Sequence, residues 1–145
     1  KGKGYLMRKS INLFHWDNIK DSPNCCPVLS CVLDGVKVSM LIDTGASCSF
    51  MDQKFINRNP TLKKQLVLGK YDYDVTSMGG QNKASKVLLI KNFSILSRHF
   101  EVEFKVAELN LPKIDGTYPY VGILGFDFIM QNKITLNFKD FIITI

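Results

Sequence analysis

No run of apolar residues in this 145-residue chain is long enough to cross a bilayer as a helix. Cysteine is scarce and unpatterned. Cys25, Cys26, Cys31 and Cys48 make no paired CxxC framework, and together with His15 and His99 they match none of the common zinc spacings. They read as packed free thiols, which implies no metal and favours a reducing, cytoplasmic compartment. The chain starts at Lys1 rather than Met and so reads as a fragment or processed form; a missing signal peptide therefore excludes little. Outside the first twenty residues there is no stripe of interleaved basic and aromatic side chains, which argues against a nucleic-acid surface despite the net charge of +6. Most of that charge is local: Lys1, Lys3, Arg8, Lys9 and Lys20 face only Asp17. The triplet Asp-Thr-Gly occurs once, at residues 43–45, and no second Asp-Thr/Ser-Gly exists.

With 46% apolar and 22% charged residues the chain should fold, and its length suits one core. Residues 1–24 read as a basic N-terminal extension, where "SINLFHWDNI" suits a short packed helix or an irregular arm. Residues 25–145 read as the folded domain, and they are β-rich. "CPVLSCVLDGVKVSMLID" holds two β-prone runs around Asp34-Gly35, a dipeptide suited to the type I′ hairpin turn, which needs positive φ at both central residues. "SFMDQKFI" suits a helical turn capped by Ser49 or Asp52. "NPTLKKQLVLGKYDYD" reads as a polar connection with one strand. Gly79-Gly80 separates two further strands, residues 87–106 hold two strands, and 107–120 reads as a long loop. "VGILGFDFIMQNKITLNFKDFIITI" reads as a strand, a one- or two-turn helix near 126–131 and a last hairpin turning at Lys139-Asp140. The order of hairpin then "MLIDTG", and later strands then "VGILG", is a weak internal duplication with the acid in the first copy alone.

"VSMLIDTGASCSF" poses the chemical question. A carboxylate ending a buried strand is costly to desolvate unless it is paired or used. Taken alone, Asp43 serves equally well as a turn former. In context, Leu41-Ile42-Asp43-Thr44-Gly45-Ala46-Ser47 resembles the active-site motif of retropepsin-like aspartic proteases. "VGILGFDF" resembles the segment that the family places beside that motif, Gly79-Gly80 resembles its flap tip, and "ITLNF" resembles its closing strand. The resemblance covers about residues 25–138.

It implies an all-β, closed barrel or sandwich of hairpins with one or two short helices, a single lobe that forms a homodimer, and an aspartic endopeptidase acting on extended polypeptide without a cofactor. Two carboxylates sharing one proton can activate water and polarise a carbonyl at once. With one Asp-Thr-Gly per chain, the second carboxylate is expected from Asp43 of another copy. Thr44 is expected to bond across that axis, Gly45 to let the substrate approach, and Ala46 to leave a side pocket open. Met78, Gly79 and Gly80 are expected to close over the substrate, and Ile123, Phe50 and Val32 to wall its pockets. Ser47 and Phe126 stand where retroviral members carry a paired acid and arginine, which points toward bacterial or cellular relatives. "KDFIITI" extends past the strand resembling the viral terminus, so intertwined chain ends are not expected. Asp127 is expected to start a helix rather than to react. A catalytically silent dimerisation module and a retroelement polyprotein protease are the rival readings.

Overall fold

The computed structural model describes residues 10–12, 14, 15, 27–77, 80–111, 113, 116–140 and 142–145. The basic segment 1–9, Cys25, Cys26 and the expected flap residues Met78 and Gly79 lie outside them. In chain order the elements are β1 (Ser10–Asn12), β2 (Phe14–His15), β3 (Pro27–Leu33), β4 (Val36–Ile42), β5 (Phe50–Asp52), α1 (Gln53–Asn57) and α2 (Pro60–Lys63). They continue with β6 (Leu66–Ser77), β7 (Gly80–Ile95), β8 (Arg98–Ala107), β9 (Gly122–Leu124), α3 (Phe126–Gln131), β10 (Thr135–Asn137) and β11 (Ile142–Thr144).

The larger sheet runs β2-β3-β4-β9-β5-β8-β7-β6, and β3 also pairs with β7 through Val32↔Ser94 and Leu33↔Phe93. That extra pairing closes β3, β4, β9, β5, β8 and β7 into a six-stranded barrel, the closed all-β fold expected. Closure leaves β2 and β6 as appendages. A separate sheet has the order β1-β11-β10.

Local chemistry accounts for most of these elements. Asp34 and Gly35 have φ of 48° and 82°, the double positive φ of the expected hairpin turn, and β3 and β4 pair in register from Val28↔Leu41 to Leu33↔Val36. β8 alternates exposed His99, Glu101 and Glu103 with buried Phe100, Val102 and Phe104. The alternation stops at Lys105, which is buried and lies where β8 begins to pair with β5, Phe50↔Lys105. Inward side chains from all six barrel strands, among them Leu29, Met40, Met51, Leu88, Phe104 and Leu124, are essentially inaccessible. Phe93 meets Phe104 and Phe128 edge-on at 5.9 and 5.8 Å between ring centroids, tying α3 to the barrel.

Three local expectations need correction. Residues 10–12 and 14–15 are strands, neither a short helix nor an irregular arm, because they add to β11 and β3 and satisfy hydrogen bonds that a sheet edge leaves open. The connection after α1 contains a one-turn helix, α2, opened by Pro60 at its first position, before its single strand β6. Asp52 stands at the start of α1 but makes no side-chain cap bond there.

Candidate active site

β4 delivers Asp43 to the site. It pairs in parallel with β9, Met40↔Gly122 through Ile42↔Leu124, so the two duplicated segments lie side by side. The Asp43 amide extends the ladder by donating to the Leu124 carbonyl at 3.0 Å. The chain then turns: Ala46 N–H donates to the Asp43 carbonyl at 3.2 Å, and Gly45 N–H to Asp43 Oδ1 at 2.9 Å. The carboxylate is thus aimed by the backbone of its own turn and stays partly open to solvent, with Thr44 and Gly45 exposed beside it. A Cβ on Gly45 would sit 3.2 Å from Asp43 Oδ1, so glycine keeps the carboxylate's flank clear.

The second loop locks onto the first. Phe126 N–H donates to the Ala46 carbonyl at 2.7 Å. A Cβ at Gly125 would press on the Cys48 carbonyl and lie 2.7 Å from the Ala46 oxygen, so only glycine admits this approach. Gly122 is similarly constrained, with the Phe50 carbonyl 2.5 Å from the Cβ position.

A polar clasp completes the join. Ser49 is fully buried; its hydroxyl donates to Asp127 Oδ1 at 2.8 Å and accepts the Gly125 amide at 3.0 Å. The Ser49 amide donates to Asp127 Oδ2 at 3.1 Å. Asp127 also accepts the Phe128 amide at 2.7 Å, so the expected helix-start contact is present and the same carboxylate holds the Asp43 loop. The clasp escaped sequence reasoning because its partners are 78 positions apart. Ser47 and Phe126 are both exposed and are not part of it.

Of the other expected site residues, Gly80 opens β7 opposite Ser77. Ile123 lies between Leu41 and Phe50 in the sheet. Ile123, Phe50 and Leu111 pack partly buried against a small cluster of Val75, Ala84, Ala107 and Leu109, separate from the main core. Val32 is not brought to them: it pairs with Lys37 near the Asp34-Gly35 turn, at the far end of the β3–β4 hairpin from Asp43. A cavity of about 270 Å³ opens beside Cys48, between β8 and α3, lined by Glu101, Glu103, Asp127 and Gln131 rather than by Asp43.

The family model for aspartyl proteases matches residues 29–128, which spans both interlocked loops and everything between them. The chain belongs to the aspartyl protease family. Solved structures with the same fold include a retropepsin-like aspartic protease from Rickettsia conorii, with 18% identity, 95% of this chain and 92% of that chain covered, and a TM-score of 0.61. The retroviral protease-like domain of Ddi1 from Leishmania major has 16% identity, coverage of 79% and 82%, and a TM-score of 0.56. EIAV protease, solved with the inhibitor HBY-793, has 20% identity, coverage of 82% and 99%, and a TM-score of 0.50. At these identities the likeness speaks for a retropepsin-like fold. Among curated proteins nothing matches this aspartyl protease chain.

Proposed function

We propose that this aspartyl protease is an endopeptidase whose Asp43 pairs with Asp43 of a second copy across a two-fold axis. The observation that carries the reading is the Asp43 turn itself. A partly exposed carboxylate is aimed by Gly45 N–H, anchored on Leu124 and braced by a second loop at Gly125 and Phe126. A turn former needs none of that bracing. Asp127, the nearby carboxylate of the second loop, is occupied by Ser49 and Phe128 and is poorly suited to be the partner acid.

In the paired site one carboxylate takes a proton from water while the other, protonated, polarises the scissile carbonyl. Like charges in contact keep one proton between them, which favours activity on the acid side of neutrality. Thr44, exposed at the tip of the turn, is suited to bond across the axis. Gly45 and Ala46 leave space for extended substrate, which adds as a strand beneath Met78, Gly79 and Gly80. Phe50, Leu111 and Ile123, partly buried on a small apolar cluster, offer its side chains apolar surface.

The dimer in this reading does not exchange C-terminal strands. β11 is paired on both sides, by β1 and β10, and Ile143 is fully buried, so it has no free edge to offer. Phe126, Met130 and Phe138, each about half exposed or more, give a second copy apolar surface to cover.

The test is mass-spectrometric cleavage of a peptide library from acidic to neutral pH, with the parent and Asp43→Asn side by side. Cleavage by the parent that the variant lacks supports the reading. Equal cleavage by both, or none from a folded dimeric parent, refutes it.

A further inference from the structure

The segment joining β8 to β9 is long, yet both of its ends are fastened to one residue. The Asp52 amide donates to the Val121 carbonyl at 3.0 Å, and Asp52 Oδ1 accepts the Leu109 amide at 3.1 Å. Asp52 is 2% exposed. A carboxylate this deep is costly unless it is used, and capping α1 is not its use, since it makes no bond to that helix's amides.

What Asp52 holds is one end of the segment that packs on the small apolar cluster. It ends β5, two residues after Phe50, which pairs with Ile123. Leu109, whose amide it takes, is buried with Val75, Ala84 and Ala107, and Leu111 packs against the same group. Ile123 in turn neighbours Leu41, two residues before Asp43. Farther along the segment, the Tyr118 ring lies under the Arg58 guanidinium at 5.2 Å, which fastens it to the end of α1, and under the ammonium of Lys113 in the same segment at 4.9 Å.

We propose that Asp52 is a positioning residue for substrate. By holding Leu109 and Val121 it sets the Leu109–Leu111 stretch in one apolar cluster with Phe50 and Ile123, so that the partly exposed face of that cluster accepts an apolar side chain of the peptide. The proposal rests on the peptidase reading of Asp43. Asp52 does not touch the reacting atoms, so its loss should weaken substrate binding and selectivity rather than the chemical step.

The test compares Asp52→Asn, which retains an acceptor oxygen for Leu109, with Asp52→Leu, which has similar shape and no acceptor. Each is assayed on paired peptides that carry Leu or Ala at the parent's most selective position. For the Leu peptide, Asp52→Leu should raise KM about tenfold, the loss of roughly one hydrogen bond to a buried charge, with kcat within about twofold. Its preference for Leu over Ala should fall by a similar factor, while Asp52→Asn stays within about threefold of the parent. Amide hydrogen exchange at Leu109 reads the tie without activity and should quicken at least about tenfold in Asp52→Leu alone. Equal behaviour of the two variants, a loss confined to kcat, or unchanged exchange at Leu109 overturns the proposal. A parent with no activity overturns the peptidase reading and the substrate role together, and it is told apart by exchange that still quickens at Leu109.

Discussion

Replacing Ser49 with alanine removes one fully buried hydroxyl from the join between the two loops, and its cost can be worked from the contacts. The hydroxyl donates to Asp127 Oδ1 at 2.8 Å and accepts from Gly125 N–H at 3.0 Å. A hydrogen bond to a charged group contributes about 1.5–3 kcal/mol, and the lower end applies because Asp127 is only partly buried and water screens it. Gly125 is buried, so its amide is left without an acceptor at about 1–3 kcal/mol. The two losses share one oxygen and do not add fully, so about 3 kcal/mol is expected. In a domain of this size that lowers Tm by roughly 10 °C. Urea unfolding of the parent, Ser49→Ala, Asp127→Ala and the double variant measures both the loss and the coupling, which should be at least about 1 kcal/mol for groups in direct contact. A change below about 1 kcal/mol in Ser49→Ala, or additivity in the cycle, would refute the clasp as the element that holds the loops together.

Two other outcomes test neighbouring parts of the argument. Gly125→Ala must push a methyl into the Cys48 and Ala46 carbonyls, which are backbone and cannot swing aside, so it should cost about 3 kcal/mol or more in urea unfolding; an unchanged midpoint would refute the close approach. Burial pushes the Cys31 thiol well above its ordinary value of 9.0. Above that pH the unfolded chain loses a proton that the folded chain keeps, so stability present below pH 9 should fall by up to about 1.4 kcal/mol per pH unit above it. Cys31→Ala should remove that component of the slope, and an identical slope in the variant would show that Cys31 is not its source.

Elements with strong local chemistry were legible from residues alone. Asp34-Gly35 names its own turn because few residues other than Gly, Asn and Asp tolerate positive φ. The alternation in "HFEVEF" marks a strand with one wet face, and the short helix at 126–131 begins directly after a glycine with an acid in its first turn. Asp43-Thr44-Gly45 stood out because an acid at the end of an apolar run demands a reason. Residues 10–12 and 14–15 escape a reading from residues alone because strands of two or three residues have no periodicity to show and exist only through their partners.

The sequence by itself therefore determined the β-rich class and the position of the Asp43 turn. Tertiary structure alone decided how that turn is held. The β3–β7 pairing that closes the barrel, the Ser49–Asp127 clasp and the Asp52–Leu109 tie all join residues far apart in the chain. The physical reason is one of range. Dihedral preference and side-chain period act over a few residues, whereas a buried carboxylate finds its donor only after the chain has folded around it. Ser49, Asp52 and Asp127 are each unremarkable as letters, and it is their burial and partners that distinguish them.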